Sequence, residues 1–341
     1  MITLNRRQFL ATSAAFSGLS ASTGFAGTPF ATLTAQQSDV QLLPGNYGKT
    51  SLWCFDGGSP GPEIRVAQGG RVQRRLVNRF SQGTSTHWHG IRIDNAMDGV
   101  SGLTQDVVQP EETFDYDFTV PDAGTYWYHA HNRSFEQVGR GLYGALIVEE
   151  AEPLDIDREE VLILDDWLID PETAQIKDDF GASHDLSHAG RIGNLLTTNG
   201  TFNLGLRARK NERLRLRLIN AANARNFQLG LEGLDGWVVA LDGMPLTAPV
   251  KVTEAMILAP AQRIDLIVDV VADVGEAAHI LQFGREEAFS QVAFEVVEGG
   301  TTNRRDAPLA LPPNDHRMVD LKEATTLSLS MEGGAMGRMR S

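Results

Sequence analysis

A single cysteine, Cys54, occurs in 341 residues, so no internal disulfide can form and a disulfide-stapled scaffold is excluded. Long apolar runs are missing too. Beyond the N-terminal segment no stretch is long and apolar enough to span a bilayer as a helix, and a soluble mature protein with no membrane contact is expected. Basic side chains are in deficit: 30 Lys and Arg stand against 44 Asp and Glu, for a formal net charge of -14. That field repels nucleic acid and anionic lipid, and it attracts cations, metal ions included. Simple solubility accounts for the same charge.

The N-terminus does carry a pattern. Arg6-Arg7-Gln8-Phe9-Leu10 precedes a weakly apolar, Ala- and Ser-rich run from Ala11 to Phe25. A basic segment followed by a short apolar one reads as a signal peptide, and the paired arginines match the twin-arginine type. Gly24 and Ala26 are small at the positions that matter for cleavage after Ala26. The expected location is therefore periplasmic or secreted. Twin-arginine export moves folded cargo, which suits a protein that acquires its cofactor first.

Strand signals dominate the rest. Arg71 to Val77 follows a Gly69-Gly70 turn, Thr113 to Val120 alternates Phe114, Tyr116, Phe118 and Val120 with polar neighbours, and Tyr143 to Val148 forms a third segment. A Glu-, Pro- and Asp-rich stretch then leads to Val161-Leu162-Ile163-Leu164. Further segments run over Arg213–Ile219, Phe227–Leu231, Trp237–Leu241 and Ile264–Val271. Leu214, Leu216 and Leu218 alternate with Arg213, Arg215 and Arg217, a pattern that predicts one wet face. The length suits two ordinary domains. The fold class is all-β, two Greek-key β-sandwich domains in tandem. Residues 1–35 are read as signal and N-terminal segment, 36–150 as the first domain, 151–157 as linker and 158–298 as the second domain. Within 299–341 a polar linker precedes Thr326 to Met331, which alternates as a new strand or as a tail added to a sheet edge.

Eight histidines occur, and four form two matched pairs, His87-Trp88-His89 and His129-Ala130-His131. On a strand the side chains repeat every second residue, so each pair projects from one face. Two such strands, adjacent, converge four imidazoles on one spot. Imidazole suits copper, zinc, iron and nickel, and the absence of a carboxylate-rich set argues against calcium or magnesium. A lone His-x-His is weak evidence. Two pairs flanked by Trp88 and by Tyr126-Trp127-Tyr128 are hard to assign to packing.

His87-Trp88-His89-Gly90, Asp98-Gly99-Val100-Ser101-Gly102-Leu103-Thr104-Gln105 and Gly124-Thr125-Tyr126-Trp127-Tyr128-His129-Ala130-His131 together resemble the first cupredoxin (plastocyanin-like) domain of multicopper oxidases. Phe55 to Arg65 resembles that domain's opening strand, and Gly141 to Val148 its closing one. Thr198-Asn199-Gly200, Leu216 to Ala221 and Pro260 to Asp265 resemble the middle domain. The resemblance covers nearly the whole chain after the signal. It implies a copper cluster that reduces dioxygen to water with electrons collected at a separate type-1 copper. By position, His87 would bind the type-2 copper, His89 and His129 one type-3 copper, and His131 the other.

The departure is equally specific. The family's type-1 site needs a cysteine between histidines, and Cys54 has no histidine neighbour. A small buried thiol is its expected identity. Met331 to Met336 resembles the opening of the family's third domain. The sequence therefore predicts a laccase-like oxidoreductase lacking its type-1 copper domain, inactive alone, with half of the cluster's ligands present. Its partners would be dioxygen, a small reducing substrate (a phenol, an aromatic amine or a metal ion) and a missing or separate C-terminal cupredoxin domain. The rival is a non-catalytic cupredoxin-fold scaffold of the cell envelope, or a simple copper-binding protein.

Three minor candidates remain. His184 and His188, spaced i, i+4, either share a helical face with metal-binding capacity or belong to a solvated loop. Met331, Met336 and Met339 either hold Cu(I) or form a frayed end. His279 and His316 are read as incidental.

Overall fold

Alternating apolar and polar side chains build the first half from eight strands. The structure, a computed structural model, describes residues 30–300, 303–315 and 320–330. In chain order the strands are β1 (Ala31–Val40), β2 (Thr50–Phe55), β3 (Ile64–Ala67), β4 (Arg71–Asn78), β5 (Thr86–His89), β6 (Thr113–Thr119), β7 (Gly124–Ala130) and β8 (Tyr143–Glu149), with a short helix α1 (Ser134–Gln137) before the last. They pair as two four-stranded sheets, β2-β1-β4-β6 and β3-β8-β7-β5. Leu76, Trp88, Tyr116, Tyr128 and Leu146 fill the space between them.

The second half contributes β9 (Arg158–Trp167), β10 (Ile169–Asp170), β11 (Gln175–Ile176), helix α2 (Ser183–Ser187), β12 (Leu195–Thr198), β13 (Leu204–Arg209), β14 (Arg213–Asn220), β15 (Phe227–Glu232), β16 (Leu234–Leu241), β17 (Met244–Lys251), β18 (Met256–Leu258), β19 (Arg263–Val270), β20 (Ala277–Phe283) and β21 (Ala288–Val297). A six-stranded sheet, β12-β9-β14-β19-β16-β17, packs over a five-stranded one, β13-β21-β20-β15-β18. Leu216, Leu218, Phe227, Leu266 and Phe294 form that core. A third apolar cluster joins the halves: Leu52, Trp127, Tyr143 and Ala145 meet Ile163, Trp167 and Ile219. From Thr32 onward the described residues pack as one compact unit. The protein is all-β, as its alternation predicts, and among the described residues no helix is long and apolar enough to cross a membrane.

The expected wet face of β14 is buried instead. Arg213, Arg215 and Arg217 are 1, 0 and 1 % exposed. Arg213 forks onto Asp269 at 2.7 and 2.8 Å, Arg215 binds Asp265 at 2.6 Å and Glu150 at 2.7 Å, and Arg217 reaches Glu159 at 2.9 Å. The cause lies in the neighbouring strand and the first half. Register sets Arg213 opposite Asp269 and Arg217 opposite Asp265, and residues of the first half and of the 150–159 segment cover the charges. Buried guanidinium groups survive only when paired in this way.

Elsewhere the structure differs from expectation at one strand and one linker. Phe55 to Arg65 is no single strand, because β2 ends at Phe55 and β3 begins at Ile64. Thr326 to Ser330 is exposed and in no strand, since no sheet edge receives it; Met331, with Met336 and Met339, lies outside the described residues, as do the signal segment before residue 30 and His316. The stretch 303–315, read as linker, is a packed strap. Asn314 exchanges two 2.8 Å hydrogen bonds with the Ala123 backbone, and Leu311 is buried.

Candidate metal centre

Strands β5 and β7 pair antiparallel, with His87 directly opposite His129 and His89 opposite Trp127. Alternation then sorts the side chains. Trp88 and Tyr128 point into the first core, both fully buried, and Trp88 packs 4.9 Å from Phe118 and 5.4 Å from Tyr116. Those large rings fix the register, because a one-residue slip would drive the imidazoles into the core. The opposite face carries His87, His89 and His129, and His131 follows just beyond β7.

The rings converge. The His87 centroid lies 5.5 Å from His89, 5.3 Å from His129 and 5.2 Å from His131. One nitrogen from each of His87, His89 and His129 falls within 4.8 Å of the other two, and His89 Nδ1 is 3.1 Å from His129 Nε2. His87 Nδ1–H donates to the Asp98 carbonyl at 2.7 Å, and His129 Nδ1–H donates to the Ala130 carbonyl at 3.0 Å. Each main-chain contact fixes a tautomer that leaves Nε2 unprotonated with a lone pair for a metal, although in this structure that of His129 faces His89 Nδ1.

Electrostatics favour the ligand form. Burial lowers the pKa of His87, His89 and His129 by disfavouring imidazolium. His89 falls to about 3, with the Arg263 charge adding to burial. Neutral imidazoles grouped at ligand spacing, with no carboxylate among them, fit a borderline metal such as copper and do not fit calcium or magnesium.

Two glycines allow the approach of supporting segments. Gly99 (φ +80°) presses against β5, where a Cβ would sit 1.8 Å from the Thr86 carbonyl oxygen. Gly90 (φ +83°) follows His89, and a Cβ there would meet the Arg263 guanidinium at 2.1 Å. Arg263, 3 % exposed, donates to the Thr125 and Asp242 carbonyls at 3.3 and 2.9 Å. Burial holds its pKa below the usual guanidinium value. Arg217 Nη1 donates to Thr125 Oγ1 at 2.9 Å. Both arginines of the second half thus grip the start of the strand that carries His129.

The site opens into a cavity of about 480 Å3 whose walls come from both halves: the four histidines and Trp127 on one side, Ala221, Pro260 and Ala261 on another. Trp127 stacks 4.4 Å from His129 and 5.1 Å from His89. All four sequence-predicted ligands line this cavity. Cys54 does not belong to it: the thiol is fully buried in β2. His279 is elsewhere, its Nδ1 2.8 Å from Ser290 Oγ. His184 and His188 do stack, with ring centroids 4.4 Å apart, and neither lines the cavity. Sequence reasoning missed Arg217, Arg263 and Thr125. Their signal was opposite charges alternating on two strands, Arg213/Arg215/Arg217 against Asp265/Asp269.

Paired β-sandwiches with imidazoles converging from two adjacent strands define a β-sandwich protein with a transition-metal site. Comparison with known proteins gives the family. Multicopper oxidase profiles match residues 35–153 and 158–292. The crystal structure of a multi-copper oxidase from Pseudomonas thermotolerans superposes with a TM-score of 0.79 at 36 % identity, covering 87 % of this chain and 70 % of that one. Lac15 from a marine microbial metagenome gives 0.75 at 41 % identity, covering 86 and 73 %. Copper resistance protein A of Escherichia coli is 32 % identical across 84 % of this chain and 51 % of its own length. The chain belongs to the multicopper oxidase family, and copper is its cofactor. It spans about half the length of the curated relatives it matches.

Proposed function

We propose that the chain works as a laccase-like, copper-dependent oxidoreductase that couples oxidation of phenols, aromatic amines or metal ions to reduction of dioxygen to water. The observation that carries this reading is the convergence of His87, His89, His129 and His131 from two paired strands into one cavity. Copper held there supplies one-electron redox chemistry.

The chain's own residues do the rest. His87 and His129 present Nε2, because a carbonyl holds each Nδ1–H. The family pattern gives His87 to the type-2 copper, His89 and His129 to one type-3 copper and His131 to the other. The 3.1 Å approach of His89 to His129 supports a shared ion for that pair. Phe135, Val138 and Phe180 line the cavity with apolar surface, which keeps the effective dielectric low around the ligands. The division into cupredoxin domains at 36–150 and 158–298 is supported by the sheets, which stay within those limits apart from the first residues of β1.

Cys54 is the sequence's one cysteine and is buried away from every histidine pair, so these residues hold no type-1 site. The remaining cluster ligands and the type-1 copper are therefore proposed to come from a third cupredoxin domain, on this or a separate polypeptide. Export through the twin-arginine route to the periplasm completes the reading.

Copper analysis after loading the purified chain, beside His87→Ala, tests it. Loss of bound copper in the variant is expected. Unchanged copper content would favour a cupredoxin scaffold without redox chemistry.

A further inference from the structure

Helix α2 supplies Asp185 and Leu186 to the cavity wall, and a second pair of imidazoles flanks them, His184 on the helix and His188 just past its end. His184 and His188 sit one turn apart, with ring centroids 4.4 Å apart and planes inclined by 13°. Both are exposed. Spacing of i, i+4 on a helix sets two side chains over one another, where a single ion can take a nitrogen from each.

The ring of His188 is held as the inner ligands are held. Its Nδ1–H donates to the His184 carbonyl at 3.1 Å, with Ser187 Oγ at 3.0 Å from the same nitrogen. The tautomer is fixed, and Nε2 is left free as a donor to a metal. Main-chain carbonyls fix the tautomers of His87 and His129 in the same way. An exposed histidine with no role would need no such anchoring.

Asp185, between the two, keeps Oδ1 3.8 Å from His184 Nδ1. It lines the cavity together with His87, His89, His129 and His131. Its Oδ2 is buried and accepts no hydrogen bond, with Arg191 4.0 Å away. Arg191, also on the cavity wall, is its ion-pair partner there, so an incoming cation would compete with that guanidinium for the carboxylate. The exposed imidazole pair, the carboxylate and the inner histidines thus form a sequence of oxygen and nitrogen donors from solvent to the metal centre.

We propose that His184 and His188 form a separate copper-binding site on the cavity rim, where Cu(II) is captured before passing Asp185 to the inner histidines. The loading role rests on the reading that the inner four hold copper; the binding of Cu(II) by the rim pair does not. Among divalent first-row ions Cu(II) is bound most strongly by such nitrogen sites, and the net charge of -14 draws cations to the surface.

The test uses the full metal-free chain, titrated with Cu(II) under equilibrium dialysis and followed by electron paramagnetic resonance. Inner loading is timed by quenching of tryptophan fluorescence, since Trp127 lies against His89 and His129. H184A/H188A is expected to bind about one Cu(II) fewer and to load the inner site about tenfold more slowly, with the final inner signal unchanged. D185N is expected to slow loading while leaving the rim signal intact. An unchanged stoichiometry in H184A/H188A overturns the site, and an unchanged loading rate overturns its role as the way in. H188Q serves as a second variant should the double substitution disturb the fold. H87A separates the two readings: it should lose inner copper and keep the rim signal. If H87A keeps all its copper while H184A/H188A loses its equivalent, the inner reading fails and the rim site stands.

Discussion

Arg217 of β14 donates a 2.9 Å hydrogen bond to the hydroxyl of Thr125, four residues before His129 on β7. A guanidinium of the second half is thereby fixed to the strand that builds the metal centre. The same side chain reaches Glu159 at 2.9 Å and lies 3.5 Å from Asp265. At 1 % exposure it neutralises carboxylates that have no water to turn to.

Arg217→Met keeps the volume and removes the charge. It withdraws one cation from a buried network in which Arg215 still holds Asp265 and Glu150 and Arg65 still holds Glu159, so the cost should fall below that of a fully stranded buried charge, at about 1–3 kcal/mol. Urea unfolding should show that loss. Arg207→Met is the control, because its ion pair with Glu295 is exposed on both sides. Such pairs contribute roughly 0–1 kcal/mol. Equal effects from the two substitutions would show that burial of Arg217 carries no energetic weight.

Gly99→Ala tests the packing behind β5. The new methyl would need the space of the Thr86 carbonyl, at a φ of +80°. Backbone strain of this kind costs on the order of 1–3 kcal/mol. The displaced strand carries His87 and His89, so copper affinity should fall along with melting temperature. Gly102 also has a positive φ, but no atom lies within 4 Å of the place its new methyl would take. Gly102→Ala should therefore lose some stability to strain and leave copper binding intact. If both variants bind copper alike, the close approach of Gly99 does not set the site.

The convergence of the four histidines and the all-β fold were legible because a two-residue period fixes which side chains share a face, whatever the rest of the molecule does. His87, Trp88 and His89 state both the ligand face and the core face of β5 in three letters. The arginines of β14 were misread for the same reason. Period two says that Arg213, Arg215 and Arg217 share a face, but not what covers it. Only the partner strand, with Asp265 and Asp269, and the first half, with Thr125, decide that the face is dry. Thr326 to Ser330 pairs with no strand among the described residues: alternation is necessary for a strand, and a neighbour with free hydrogen-bonding groups is also required.

Asp165 should impose a pH dependence on stability. It is fully enclosed, and burial raises its pKa well above the carboxylate range, although the Tyr143 hydroxyl donates to it at 2.6 Å. A raised folded-state pKa means that the folded form holds the proton more tightly. The resulting stability is fully present below the unfolded value, about 3.9, and is lost as pH rises through the folded value. Asp165→Asn removes this titration. Relative to the native protein, the variant's melting temperature should be higher at neutral pH than in acid. An identical pH profile for both proteins would mean that Asp165 has the same pKa folded as unfolded.

Cys54 decides what colour the copper-loaded chain has. Burial pushes its thiol up to about 12, so thiolate is scarce at neutral pH. A thiol reagent should leave the native chain unlabelled at pH 8 and label one site after denaturation, since the unfolded pKa is about 8.5. Strong blue absorption requires a thiolate bound to copper between imidazoles. Cys54 is fully buried in β2 and is absent from the lining of the histidine cavity, so the chain loaded with Cu(II) should lack an intense blue band. Cys54→Ala should then change neither the copper content nor the visible spectrum. A blue band that disappears in that variant would put Cys54 in a copper site and overturn the assignment of the metal to imidazoles alone.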